Sequence, residues 1–340
     1  MMNKVLAVAA AVLLTTAVTD SAVAQNFYQG KQIKLIVSSA TGGGYDAVAR
    51  LLQRFMPQYI PGNPSIVVVN MPGAGGLLAA NHFANLAEKD GTTLAVLNRF
   101  AAIMPLLGSE QAKFKTEEFQ WIGTTASYSD NAYLLVIRSA LPHQTIADLR
   151  ASATPINIGN TGSDVPAILK EALGLNFKLI SGYKGSEEME LAFERGEIDG
   201  HAISWLSMMA RAPHWMDKGF ARPVVQFGRA DRLPIISHVP TARELTRGSE
   251  SLALMLFAEA PLELGYPFAL PPGVPAERVA LLRKAFKDTT EDPKYIEEIQ
   301  KIKLELTPKY GDEVQAIVGK LTQSPPSVVA RYKALMGPAN

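Results

Sequence analysis

The 340-residue chain contains no cysteine. That excludes a disulfide framework, thiol chemistry and a lipid-bearing lipobox. It also lacks an excess of either charge: 33 Lys and Arg stand against 32 Asp and Glu, a net charge of +1. With no basic block, the electrostatic footprint of a nucleic-acid binder is missing. Long apolar runs are absent too. The run from Val5 to Val18 is about fourteen residues, short of the roughly 20 that a membrane-spanning helix needs. Neither H-E-x-x-H nor G-x-S-x-G occurs, and His82, His143, His201, His214 and His238 are scattered without ligand spacing. The expectation is no catalytic residue, no metal and no cofactor.

What the chain does have begins with an export signal. Lys4 precedes the apolar run, which leads to Ala22-Val23-Ala24, an A-x-A site with cleavage expected before Gln25. The mature chain is therefore expected in the periplasm of a Gram-negative cell, an oxidising compartment compatible with a cysteine-free chain. A hydrophobic content of 47% argues for packed domains, and the length argues for two of them.

Beyond the leader, strand and helix patterns alternate. Ile33–Ser38 reads as a buried strand, and Val48, Leu51, Leu52 and Phe55 mark one face of a helix stopped by Pro57 and Pro61-Gly62. Ile66–Val69 is a second strand, Leu77–Asn85 a helix and Thr93–Leu97 a third strand, which implies a parallel sheet with right-handed crossovers. The pattern restarts with strands at Tyr133–Ile137, Ile156–Ile158, Phe177–Ile180, Ile198–Ser204 and Pro223–Phe227. Helices open at Gly162-Ser163-Asp164 and at Ser186, and a helical tail follows Pro271-Pro272-Gly273. Two such modules imply two Rossmann-like lobes facing a cleft, with the C-terminal helices packing back on the first.

Glycine-rich turns lie where strands feed helices, at Gly42-Gly43-Gly44, Gly73-Ala74-Gly75-Gly76 and Gly162-Ser163. Open α/β sheets bind ligands at such turns, and a helix's first-turn N–H groups attract an anion. Gly42-x-Gly44-x-x-Ala47 also matches a dinucleotide fingerprint, but Asn70 and Met71 stand where that reading needs an acid. Asp46 is expected to cap a helix starting at Ala47, and Arg50 and Arg54 to be solvated.

At these loops the chain resembles a known family. Ile33–Arg50 (IKLIVSSATGGGYDAVAR), Asn70–Gly76 (NMPGAGG), Gly159–Ser163 (GNTGS), Tyr183-Lys184-Gly185, Gly196–Asp199 (GEID), Val239-Pro240-Thr241 and Pro271–Pro275 (PPGVP) occur in order. They are similar to the Bug family, the TctC-like extracytoplasmic receptors of tripartite tricarboxylate transporters, from about Phe27 to Tyr332. The resemblance implies an α/β type II periplasmic binding protein fold, two lobes joined by two crossing segments. The division it suggests is 1–24 signal peptide, 25–128 plus 251–340 lobe I, and 129–250 lobe II. By position, it implies a first ligand loop of Ser39, Thr41, Gly43, Gly44, Tyr45 and Asp46, and a second of Gly162, Ser163 and Asp164.

Three positions depart from the family pattern, the first being Thr41, where the family commonly has proline. Tyr45 replaces a small hydroxyl residue, so that changing it to a small residue is expected to alter ligand choice more than stability. Pro166 stands where the family often has histidine. Asn98 and Arg99 follow the third strand, where an arginine offers a bidentate clamp for a carboxylate. Tyr128, Asn131, Tyr183 and Trp205 are candidate cleft liners. The function implied is capture of a small mono- or dicarboxylate, acyclic or aromatic, by a monomer that serves a permease of large and small subunits. The alternatives are a sensor component presenting the liganded receptor to a membrane histidine kinase, and a periplasmic hydrolase.

Overall fold

The computed structural model describes residues 27–160, 165–183, 186–302 and 304–336. The expected signal peptide and the turn Gly162, Ser163 and Asp164 lie outside them. Strand β1 (Gln32–Val37) buries Ile33, Leu35, Ile36 and Val37, a near-continuous apolar run suited to a strand covered on both faces. It pairs in parallel with β2 (Ser65–Asn70) and β3 (Thr93–Val96), as the alternation of strands and helices implies. The helix Gly44–Phe55 between β1 and β2 buries Val48 and Leu52 against the sheet, while Leu51 packs on Tyr295 and Ile299. Each such side chain contributes about 1.5–3 kcal/mol of apolar burial.

The rest of this sheet is assembled from distant parts of the chain. Its order is β11-β4-β10-β3-β1-β2, with β4 at Gln120–Thr124, β10 at Pro267–Leu270 and β11 at Lys309–Tyr310. β10 runs antiparallel between β3 and β4. The second sheet has the order β7-β6-β8-β5-β9, from β5 (Tyr133–Arg138), β6 (Ile156–Gly159), β7 (Phe177–Ile180), β8 (Gly200–Ser204) and β9 (Ala221–Phe227). β6 is parallel to β7 and β8, whereas β5 is antiparallel to β8 and β9. Local pattern located β5, β6, β7 and β9 to within two residues at either end. β8 begins at Gly200, two residues later than expected, although the Asp199 backbone already bonds Asn157 of β6 and Arg138 of β5.

The chain passes from one sheet to the other twice. Residues 125–132 make the outward crossing, and the return leads through the helix Ser249–Leu264 and Gly265-Tyr266 into β10. The two crossings touch at Gly265, whose φ is +50°, and a Cβ there would overlap the Ala126 carbonyl oxygen. Glycine is the residue that allows this approach. Ser249–Leu264 buries residues around most of its circumference, including Leu254, Phe257, Leu262 and even Glu259. It carries no polar stripe, so single-face periodicity does not reveal it.

The C-terminal helices follow the expectation in part. Gly311–Thr322 packs on β4 in the first sheet. Pro326–Met336 instead packs on Ser249–Leu264 and on the second lobe's helix Val165–Leu173, where Arg331 pairs with Glu171 at 2.8 Å. Among the described residues, no helix is long and apolar enough to cross a membrane.

Candidate functional site

The carboxyl ends of β1, β2 and β3 converge on one edge of the first sheet. Ser38 N–H donates to Val96, Met71 N–H to Val37, and Leu97 N–H to Pro267. The loop Ser39–Gly43 lies above them, with Thr41 and Gly43 exposed and Ser39 half-buried. The helix begins at Gly44 with Gly43 as its N-cap. Asp46 is therefore not a cap but the third helical residue. Its carboxylate reaches back to the Gly42 N–H at 2.9 Å and also accepts from Arg50 Nε and Asn70 Nδ2, each at 2.9 Å. The Arg50 hydrogen bond, with those from Gly42 and Asn70, outweighs desolvation and holds this carboxyl down at about 2. Arg50 is thus paired, and Arg54 pairs with Glu298 at 3.0 Å. With its carboxylate occupied, Asp46 shapes the loop and leaves the first-turn N–H groups facing outward.

Four tyrosines surround one arginine beside that helix start. The Tyr45 hydroxyl accepts from the Arg99 backbone N–H at 3.0 Å and donates to the Gly265 carbonyl at 3.3 Å. Its ring meets Tyr266 edge-on at 4.9 Å, and Tyr266 meets Tyr128 at 6.0 Å, which meets Tyr133 at 6.4 Å. Gly44 admits this cluster, since a Cβ there would overlap the Tyr266 hydroxyl. The Arg99 guanidinium lies 5.1 Å from the Tyr128 ring and 5.2 Å from Phe100, and its buried Nε has no hydrogen-bond partner. Burial works to lower the Arg99 pKa, but Tyr45, Tyr128, Tyr133 and Tyr266 carry it above its ordinary value, so the charge is kept. Asn98 holds the turn that places Arg99, accepting from Phe100 N–H at 2.9 Å.

The floor of this region is the outward crossing. Thr125, Ser127 and Ser129 each have a buried hydroxyl without a partner, as does the Asn131 amide nitrogen. Glu305 closes the group from the C-terminal segment, which is laced to the crossing by Thr307: Ser127 N–H donates to its hydroxyl at 2.7 Å. Glu305 Oε1 accepts from the Ser204 hydroxyl of the second lobe at 2.5 Å, and its buried Oε2 has no partner. Unpartnered buried polar atoms are rare in folded proteins and call for an explanation. Here those of Arg99, Thr125, Ser127, Ser129, Asn131 and Glu305 fall on the arginine turn, the outward crossing and the tail laced to it.

The structure thus brings together Tyr45, Asn98, Arg99, Tyr128 and Asn131 from among the sequence candidates. Trp205 sits on the corner after β8 with its indole in the second lobe's core, beside Ile203 and Met208. Tyr183 packs half-buried against that same core, where burial and the nearby Glu197 and Glu188 raise its pKa. Pro166 is buried in the first turn of its helix. Tyr133, Ser204, Tyr266 and Glu305 were not legible as site residues, since each sits in an ordinary strand, corner or tail pattern. Among the described residues, no group of three or more His, Asp or Glu is arranged to hold a metal.

A family model described as the tripartite tricarboxylate transporter family receptor matches residues 48–324. The chain is 29% identical over 313 residues to a UPF0065 protein of Cupriavidus necator from the gbd 5′ region, covering 88% of this chain and 86% of that one. It is 31% identical over 199 residues to a UPF0065 protein of Agrobacterium vitis from the TAR-I ttuE–ttuC′ intergenic region, spanning only 56% of that relative's length. Among solved structures, a TctC solute-binding protein from Polaromonas matches at a TM-score of 0.68 and 21% identity, over 91% of this chain and 98% of that one. MatC from Rhodopseudomonas palustris, solved with bound malate, matches at 0.57 and 20%, over 90% and 99%. A second R. palustris protein, solved with adipate, matches at 0.59 and 20%, over 90% and 96%. These likenesses establish the two-lobed α/β architecture.

Proposed function

The chain belongs to the tripartite tricarboxylate transporter receptor family, and from that premise we propose that this solute-binding receptor captures a small organic carboxylate on Arg99. The reading extends to a periplasmic receptor that hands its ligand to a membrane permease of large and small subunits. The observation that carries it is Arg99 itself. Its guanidinium is fixed by aromatic rings, and its buried Nε has no hydrogen-bond partner. An ionised carboxylate supplies that acceptor, and charge-assisted hydrogen bonds of this kind are about twice as strong as neutral ones. The first-turn N–H groups of the Gly44–Phe55 helix add a favourable field beside it. The tyrosine rings suit an apolar ligand body, and the hydroxyls and amide of the crossing suit a second polar end. Bound malate and adipate in two proteins of the same architecture fit a ligand of this kind.

A thermal-shift screen of the mature chain against mono-, di- and tricarboxylic and aromatic acids tests the proposal. A ligand that binds the folded state alone adds about 2.7 kcal/mol at a hundred times its dissociation constant. A rise in melting temperature with one class of acid is the expected result. If the chain remains blind to every acid, before and after unfolding and refolding to strip a retained ligand, the carboxylate assignment fails.

A further inference from the structure

We propose that Glu305 is a ligand-site residue that takes up a proton from solvent on Oε2 when the organic anion arrives, so that the receptor binds its acid together with one proton. The inference rests on the carboxylate reading above and deepens it. Its first support is geometric. Glu305 is 6% exposed, one oxygen is tied to Ser204 across the gap between the lobes, and the other is buried without a partner. Arg99 Nε and Asn131 Nδ2 are likewise buried without a hydrogen bond of standard geometry, yet both groups lie close enough to favour the ionised form of the Glu305 carboxylate. An isolated surface acid would have none of this setting.

The second support is charge arithmetic. The ionisable groups that face Glu305 are Arg99, which favours its charged form, and Tyr266, whose ionisation it opposes. Tyr266, raised above its ordinary value by burial, is neutral at physiological pH. With Glu305 ionised, Arg99 and Glu305 cancel, and the site holds no net charge for an anion. An incoming carboxylate would then be buried beside another carboxylate, where two close like charges cannot both stay ionised cheaply. Adding a proton to Glu305 removes the conflict. Arg99 then has the ligand as its counter-ion, and the new O–H at Oε2 gains an acceptor in the ligand or in the unpartnered hydroxyls of the crossing. Burial already pushes the Glu305 carboxyl up to about 7, against the pull of Ser204, Asn131 and Arg99. A further negative charge moves it in the same direction.

The test is isothermal titration of the full mature chain with malate, adipate, citrate and benzoate at about pH 8, where free Glu305 is mostly ionised, in two buffers of different ionisation enthalpy. The expected result is a buffer-dependent enthalpy equivalent to uptake of close to one proton. Affinity should then weaken by up to about tenfold per pH unit above about 7 and be flat at about pH 5.5, where Glu305 already carries its proton. Glu305→Gln, which imitates the protonated form, should bind without proton uptake and without this pH dependence. Binding of an acid by the unaltered chain with no proton uptake overturns this proposal and leaves the carboxylate reading standing. If none of the four acids binds at either pH, before or after unfolding and refolding to strip a retained ligand, both fall together. The buffer comparison uses the natural chain, so the decision stands even if Glu305→Gln does not fold.

Discussion

The Tyr45 hydroxyl and the Arg99 backbone are joined by a 3.0 Å hydrogen bond across 54 positions of the chain. The same hydroxyl donates to Gly265, at the point where the two crossings meet. One side chain of the first helix therefore ties together the arginine turn and the meeting point of the two crossings. Tyr45 was expected to act on ligand choice more than on stability, but these contacts give it a structural share as well. Tyr45→Phe keeps the ring on Tyr266 and removes both bonds. It should cost about 1–3 kcal/mol, read as a lower urea midpoint with an unchanged slope, and it should weaken acid binding by loosening Arg99. A stability within error of the natural chain would show that the hydroxyl does not hold the turn.

Arg99→Met retains bulk beside Tyr128 and Phe100 while removing the charge. Loss of a buried, hydrogen-bonded charge contact to the ligand costs about 2–5 kcal/mol. The dissociation constant of any acid identified in the screen should therefore rise by about thirtyfold or more. Calorimetric titration of both proteins with the same acid decides it. An unaltered affinity would move the ligand away from Arg99.

Asp46 accepts three hydrogen bonds and has its carboxyl lowered to about 2. Because the folded value lies below the unfolded one, 3.8, the stabilisation is present above about pH 4 and is lost as pH falls toward about 2. Asp46→Ala should cost about 2 kcal/mol near neutrality, the scale of a hydrogen bond to a charged group with partners left unmet. That cost should shrink in acid, as chemical denaturation at both pH values would record.

Glu259 is fully buried in the Ser249–Leu264 helix. It accepts from Gly228 N–H at 3.0 Å and Arg243 Nε at 2.6 Å. Glu259→Ala leaves the Gly228 N–H unmet and Arg243 with Glu263, at 3.8 Å, as its remaining partner, and should cost about 1–3 kcal/mol. Desolvation raises Glu259 and Glu305 from 4.5 to about 7. The folded chain then binds more protons than the unfolded one between those values, so stability declines as pH rises through the window. The slope is up to about 1.4 kcal/mol per pH unit for each group. Glu259→Gln should remove its part of that slope; an unchanged pH profile would assign the slope elsewhere.

Some of the first sheet could be read from local pattern and some could not. β1 to β3 announce themselves as apolar runs separated by amphipathic helices and glycine turns. β10 does not, because its four residues gain their place by inserting between β3 and β4, which lie more than a hundred positions earlier. The tail was expected to be helical, but residues 304–308 are not helical and 309–310 form β11; Glu305 is buried there because the outward crossing and Ser204 close over it. Within the candidate site, Arg99 was legible from its position after β3. Tyr266 and Tyr133 were not, since an aromatic residue at a strand end has no signature that separates core from cleft.

The amino-acid sequence by itself determined the parallel β1–β3 unit, the helix breaks, the glycine turns at the strand ends and the family. These depend on periodicity and turn chemistry within a few residues. The pairing of Tyr45 with Arg99, the interior place of Glu305 and the passage of the two crossings at Gly265 were decided by tertiary structure alone. Whether a polar side chain is buried, and against what, depends on which distant segments exclude water from it. That is a property of their meeting, not of the residues on either side.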